Sequence, residues 1–123
     1  MIQLDTSFLI RALAAGSSED ARLRQWLRRH ERFAISAPAW AEFRCGPVGS
    51  GVADVARHIV GEPLPFGAIE AERAAELFNE SGRRRGSFMD CMIAAVAIEG
   101  GDRLATSNAV DFVRFERFGL ELI

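Results

Sequence analysis

The chain of 123 residues contains no lysine and no tyrosine: all 15 basic side chains are arginine. Without a lysine ammonium there is no Walker P-loop, no Schiff-base chemistry and no receiver-type phosphoacceptor site. Without tyrosine no phenol acts as acid or nucleophile. The missing lysine needs no functional cause, since a GC-rich genome produces the same bias. Cysteine and histidine are scarce, two of each. Cys45 and Cys91 lie far apart with no CxxC partner, and His30 and His58 are equally isolated, which excludes a zinc ribbon or a disulfide scaffold. Both cysteines read as small buried apolar residues. The longest apolar run, Cys91 to Ile98, falls far short of the roughly 20 residues that span a bilayer. Asp5 and Arg11 interrupt the apolar start and no positive region precedes it, so it does not read as a signal peptide. The expectation is a cytoplasmic protein with no membrane partner. The net charge of −2 excludes nucleic-acid binding by bulk charge and leaves only local arginine clusters for that purpose.

What is present is an ordinary globular balance, 49% apolar and 26% charged, sized for a single domain over residues 1–123. Ile2-Gln3-Leu4 reads as a strand ending at Asp5, followed by a helix through Ala15. Ser17 and Asp20 resemble a capping box opening a second helix, with Leu23, Trp26, Leu27 and His30 on its buried face. Phe33–Ser36 is a strand, and Pro38 suits the first turn of a helix carrying Trp40, Glu42 and Phe43. After a Gly/Pro loop come a short helix over Val52–Val60, an extended connection at Glu62–Pro65, and a helix over Ala68–Ser81 with Ala71, Ala74, Ala75 and Phe78 on one face. Ser87–Glu99 is apolar nearly all round, as in a central helix. Arg103–Thr106 is a strand, Ala109–Phe112 a helical turn and Leu120–Ile123 a last strand. Strands alternating with helices imply parallel βαβ units, hence an α/β fold: a three-layer α/β/α sandwich on a short, mainly parallel sheet.

In such a sheet, ligands gather beyond the carboxyl ends of the strands. Asp5 stands at one such end and Thr106-Ser107-Asn108, with Asp111 after it, at another. Glu42 follows the second strand, and Asp90 lies in the first turn of the central helix. Acids converging there repel one another unless a hard divalent cation neutralises them, and oxygen ligands favour Mg²⁺ or Mn²⁺. Each acid also has a plain alternative: Asp5 as a helix cap, Asp90 as the partner of Ser87 in a capping box, Glu42 and Asp111 as surface residues.

Four segments in this order resemble the PIN-domain family, in particular the VapC toxins of bacterial toxin–antitoxin modules. They are Leu4-Asp5-Thr6-Ser7-Phe8-Leu9-Ile10, Ala41-Glu42-Phe43-Arg44-Cys45-Gly46, Asp90-Cys91-Met92-Ile93-Ala94-Ala95 and Leu104-Ala105-Thr106-Ser107-Asn108-Ala109-Val110-Asp111-Phe112. The resemblance implies an endoribonuclease dependent on Mg²⁺ or Mn²⁺ and restrained by a cognate VapB-like antitoxin. It implies a homodimer, with operator DNA met only through the antitoxin complex. By motif position Asp5, Glu42 and Asp90 match the family's first three acids, with Asp5 and Asp90 as the metal ligands. The fourth acid falls near Asn108, an uncharged residue, with Asp111 three positions on; these five form the catalytic set. Thr106 resembles the hydroxyl that braces the acids. It joins Thr6, Arg44, Arg83, Arg84 and Arg85 as a candidate substrate contact, the arginines because guanidinium grips phosphate in a fork. Apolar faces around Phe8, Leu9, Leu13, Trp26 and Trp40 are candidates for an antitoxin groove. The alternative is a catalytically degenerate binding module of the same fold, acting through antitoxin and operator DNA. A phosphotransferase using Asp5 as nucleophile wants a second acid where Ser7 stands, and a lysine.

Overall fold

The computed structural model describes all 123 residues. Four short strands, β1 (Ile2–Leu4), β2 (Phe33–Ala34), β3 (Arg103–Ala105) and β4 (Glu121–Leu122), form one sheet in the order β2-β1-β3-β4. All pairings are parallel, with Ile2 opposite both Phe33 and Arg103, and Arg103 opposite Glu121. The connections carry α1 (Thr6–Ala12), α2 (Ser18–Arg28), α3 (Ala37–Cys45), α4 (Ser50–Val60), α5 (Ala68–Glu80) and α6 (Phe88–Gly100). Two 3-10 segments, Ala109–Asp111 and Val113–Phe118, link β3 to β4. Successive strand side chains point to opposite faces, and every residue of β1 is buried. Gln3 Nε2 donates to the Val96 carbonyl at 3.4 Å and to Asp102 at 2.9 Å, which fixes α6 on its face of the sheet. Ile2 and Leu4, on the other face, are equally closed off. Helices therefore cover both faces, the three-layer α/β arrangement expected from the alternation. No helix is long and apolar enough to cross a membrane.

The core is one cluster of 24 buried residues in which Phe8, Phe43, Phe112 and Phe115 are the largest fully enclosed side chains. Phe8 stacks on Trp26 at 5.5 Å, and the Arg22 guanidinium lies 5.4 and 4.8 Å from the two rings. Phe8→Ala is expected to cost about 3–5 kcal/mol, since it deletes a buried ring and leaves a cavity that its neighbours only partly fill. Urea unfolding of the variant beside the parent checks this.

Several local expectations need correction. α1 stops at Ala12, not Ala15. Ser17 caps α2 by accepting from the Asp20 amide at 2.9 Å, but the Asp20 carboxylate accepts from Gly16, so no reciprocal box closes. Leu27 is 50% exposed and His30 is exposed as well. The helix ends at Arg28 and His30 takes φ 59°, which removes it from the helical stripe. β2 is only two residues long because Ser36 turns to cap α3, accepting from the Ala39 amide at 3.2 Å. Ser36 still bridges to Leu64 in parallel, the extended connection anticipated there. On α5 the buried face is Ala74 and Leu77, while Ala71 and Ala75 are exposed. Ser87 does not cap α6 through a box with Asp90; its hydroxyl donates to the Arg84 carbonyl at 2.7 Å. Cys45 is exposed, and only Cys91 is the buried thiol expected of both.

Candidate active site

The chain steps from β1 to β2 on one side and later returns to β3 on the other. The strand order therefore reverses between β1 and β3, where open parallel sheets form their binding crevice. Asp5 and Thr106 each follow these strands directly, and the Asp5 amide donates to the Ala105 carbonyl at 3.0 Å. Asp5 Oδ1 accepts from the Phe8 amide and from the Ser7 hydroxyl, both at 2.8 Å, so Asp5 is itself the N-cap of α1. Asp5 Oδ2 accepts from the Thr106 hydroxyl, whose oxygen in turn accepts from the Asn108 amide at 3.0 Å. Ser7 Oγ accepts from the Ser107 amide at 3.1 Å. The helix cap and the strand-end turn thus hold one buried carboxylate in a single orientation. Burial pushes the Asp5 carboxyl above its ordinary range; these hydrogen bonds work against the rise, and the Glu42 carboxylate adds to it.

Asp90, half-buried in the first turn of α6, has its pKa pushed up to about 6. Burial is the first cause and the Asp111 carboxylate the second; Arg114 opposes them, and Glu42 and Asp5 push further in the same direction. Four acids from four segments therefore share one electrostatic field with Asp90 at its hub. Glu42 is exposed on α3 and Asp111 is partly exposed in its 3-10 turn. No group of three or more His, Cys, Asp or Glu side chains is arranged to hold a metal ion. The donor set still suits Mg²⁺ or Mn²⁺: the donors are hard carboxylate oxygens, their mutual repulsion is what a divalent charge relieves, and Mg²⁺ retains several waters and needs only one or two carboxylates. Burial pushes the Cys91 thiol up as well, which suits a core residue rather than a nucleophile.

The remaining candidates separate by position. Asn108 is exposed and enters the network only through its backbone amide, whereas Asp111 and Asp90 both line a small cavity of about 160 Å³. Arg84, Arg85, Ser87 and Arg114 line the same cavity. Arg83 does not; it is exposed, with φ +55°. Thr6 is corrected from substrate contact to core: it is buried and its hydroxyl donates to the Ala39 carbonyl at 3.0 Å, joining α1 to α3. Arg44 lies two residues beyond Glu42, about 200° around the helix, and so occupies another face of α3. Phe8, Leu9 and Trp26 are core residues. An apolar groove of about 280 Å³ between α1, α2 and α4 is lined instead by Ala12, Leu13, Leu23, Leu27, Val55 and Ile59.

Sequence reasoning missed Ser7, Glu19, Ser107 and Arg114. Glu19, at the start of α2, accepts from the Ser107 and Ser18 hydroxyls at 2.7 Å each, and these bonds hold its carboxyl below the ordinary range. Its position reads as an ordinary first-turn acid, so no sequence signal marks it. Arg114 had a signal: Phe112, Phe115 and Phe118 recur every three residues, the 3-10 repeat. That repeat buries Phe112 and Phe115 and leaves Arg114 beside the acids.

A family model for the PIN domain matches residues 2–117. A comparison with curated proteins gives no match. Among solved structures, the chain is similar to VapBC2 from Rickettsia felis bound to a DNA fragment from its promoter, at 24% identity and TM-score 0.76, covering 100% of this chain and 98% of that one. It is similar to FitAcB from Neisseria gonorrhoeae at 23% identity and TM-score 0.73, covering 100% and 96%. It is also similar to Mycobacterium tuberculosis VapC20, a toxin that cleaves the sarcin-ricin loop, at 21% identity and TM-score 0.66, covering 98% and 96%. These neighbours share the fold, and the family match runs over nearly the whole chain: the protein belongs to the PIN domain family.

Proposed function

We propose that the protein is a VapC-like toxin, an endoribonuclease that hydrolyses RNA phosphodiester bonds with Mg²⁺ or Mn²⁺ and is neutralised by a cognate antitoxin. PIN domains are generally nucleases, and the observation that carries the reading here is the gathering of acids from four segments: Asp5 directly after β1, Glu42 on α3, and Asp90 and Asp111 lining one cavity. There Asp111, Glu42 and Asp5 add to the effect of burial in raising the Asp90 pKa. A fold keeps such repulsion when the charge has a task, and a divalent cation at a phosphate is the task that suits acidic oxygen donors. When bound, Mg²⁺ or Mn²⁺ supplies charge neutralisation at the phosphate and acidifies a water. Asp5 and Asp90 are the residues that would hold the ion. Thr106 and Ser7 fix the Asp5 carboxylate through the bonds described above. Glu42, exposed at the mouth of the crevice, orients water, and Asp111 completes the acidic wall that Asn108 does not reach. Arg84 and Arg85 hold flanking backbone phosphates.

On this reading residues 1–123 act as one PIN-like domain in the cytoplasm, where RNA is met, and pair as a homodimer. The VapBC2 and FitAcB neighbours support a toxin–antitoxin partnership, with operator DNA met through the antitoxin. The groove between α1, α2 and α4 offers an apolar helix a surface with Leu13, Leu27, Val55 and Ile59 available. The test is cleavage of total cellular RNA by purified, antitoxin-free protein with Mg²⁺, with Mn²⁺ or with EDTA. Cleavage with either metal and none with EDTA is expected. Intact RNA under all three conditions, from folded protein tested against RNA of its own source, contradicts the nuclease and favours the binding module. Asn108→Ala is expected to leave cleavage within about twofold, as for a surface residue, while Asp111→Asn lowers it at least about tenfold; equal rates in the two variants contradict the placement of the fourth acid.

A further inference from the structure

Arg114 is unusual among the arginines. Its Nε and Nη2 atoms are buried and have no hydrogen-bond partner, although unpaired charged donors are costly to bury. It takes part in none of the ion pairs of the chain, even though Asp90 and Asp111 line the same cavity. The side chain is not free to swing away: its guanidinium carbon lies 4.4 Å from the centre of the fully buried Phe115 ring, and Phe112 meets that ring edge-on at 6.2 Å. The cavity wall opposite is also set in place. Gly86 takes φ +81° and Arg83 φ +55°, the Ser87 hydroxyl holds the Arg84 carbonyl, and Arg117 donates to the Glu80 carbonyl at 2.5 Å, tying the 3-10 segment to the end of α5. No hydrophobic side chain lines this cavity.

We propose that Arg114, with Arg84 and Arg85, forms a phosphate-binding subsite beside the acidic crevice. Three arginines and two acids line one small space, so its lining carries a surplus of positive charge. Its unpaired donors are the buried Nε and Nη2 edge of Arg114, a fork that matches two oxygens of a tetrahedral anion in parallel. Remaining phosphate oxygens meet Arg84 and Arg85. Asp90 belongs to both the crevice and the cavity, so a phosphate held here belongs to the same RNA strand as the bond being cleaved. That choice of natural ligand rests on the ribonuclease reading; the phosphate chemistry itself does not. A backbone phosphate seated on Arg114 fixes the strand relative to the acids, a positioning effect expressed in kcat as well as KM.

The test is a titration of the metal-free full chain with inorganic phosphate, following the arginine Nε–H resonances by NMR. Sodium chloride at matched ionic strength and sodium acetate are titrated in parallel. A saturable shift of the Arg114 Nε–H with phosphate, absent with chloride and at least about tenfold weaker with acetate, is expected. The exposed-loop double variant R84A/R85A and the variant Arg114→Lys are each expected to weaken phosphate at least about tenfold, with the melting temperature of the parent retained. Lysine keeps the charge beside Asp90 and Asp111 but not the fork, so undiminished phosphate binding in Arg114→Lys reduces Arg114 to a counterion and overturns the subsite. An Arg114 resonance unmoved by phosphate, or moved equally by chloride, overturns it too. Acetate binding as tightly as phosphate makes the cavity a carboxylate site for a partner protein, against the proposal. Phosphate binding without any metal-dependent RNA cleavage contradicts the ribonuclease reading alone, and normal cleavage without phosphate binding contradicts the subsite alone.

Discussion

Asp90→Asn is expected to lower metal-dependent RNA cleavage at least about 100-fold, because even residues behind a metal ligand cost 10–100-fold when replaced, while making the metal-free protein more stable. The second half follows from the same electrostatics as the first. Burial and the carboxylates of Asp111, Glu42 and Asp5 move the Asp90 pKa from the ordinary 3.8 to about 6. Each pH unit of such a displacement is worth about 1.4 kcal/mol at full burial, and a half-exposed carboxylate retains about 1–2 kcal/mol of strain in all once solvent screening is allowed for. Asparagine keeps the shape and removes the charge, so that strain is released. The sign fixes the pH dependence. The folded protein holds the Asp90 proton more tightly than the unfolded chain, so this group's contribution to stability is lost as pH rises from about 4 to about 6 and is flat above. Asp90→Asn is therefore expected to gain stability over the parent at pH 7.5 and little at pH 3.5, as read by urea unfolding at both. Cation binding requires the ionised carboxylate, so the parent's Mn²⁺ affinity falls steeply below about pH 6.

Asp5 separates chemistry from architecture. Its carboxylate caps α1 and receives the Ser7 and Thr106 hydroxyls. Asp5→Ala removes the cap, worth about 1 kcal/mol, and strands the buried partners of a charged acceptor, worth about 1–3 kcal/mol more. A total loss of about 2–4 kcal/mol is expected in urea unfolding. Asp5→Asn is different. The amide oxygen caps α1 as well as a carboxylate does, the Thr106 hydroxyl can rotate to accept from Nδ2, and a desolvated charge is removed. The variant is expected to fold within about 1 kcal/mol of the parent and to lose cleavage at least about 100-fold. Full cleavage by Asp5→Asn reduces Asp5 to a helix cap, the plain alternative its position at the end of β1 always offered.

How much of this was legible in the sequence depended on whether the information is local. The strands at Ile2–Leu4 and at Arg103–Thr106, one residue longer than β3 is, and the apolar helix α6 were visible because each is a short, distinctive pattern that burial on several sides requires. The acids were visible because they follow strand ends and a helix start, where parallel sheets place ligands. The faces of α2 and α5 were misread for physical reasons. Leu27 falls on the stripe by spacing, but α2 ends one residue later and nothing packs over it. On α5, alanine is small enough to lie on either side of a helix, and Leu77 decided the buried face. Thr6 was misassigned because adjacency to Asp5 along the chain says nothing of direction; in the first turn of α1 it turns toward α3. For Arg114 the three-residue phenylalanine repeat was a local signal of a 3-10 segment, but its place beside the acids depends on that repeat docking against the core, which is long-range information.

The most direct test is Mn²⁺ binding by the purified, metal-stripped protein at pH 7.5, measured by calorimetry for the parent, Asp90→Asn, Asp111→Asn and Asn108→Ala. Saturable binding in the parent and in Asn108→Ala, weakened at least about tenfold in Asp111→Asn and abolished in Asp90→Asn, is the result expected of an acidic crevice that holds a divalent ion. Binding that survives unchanged in Asp90→Asn contradicts the assignment of the crevice as the metal site, and with it the chemistry proposed for this chain.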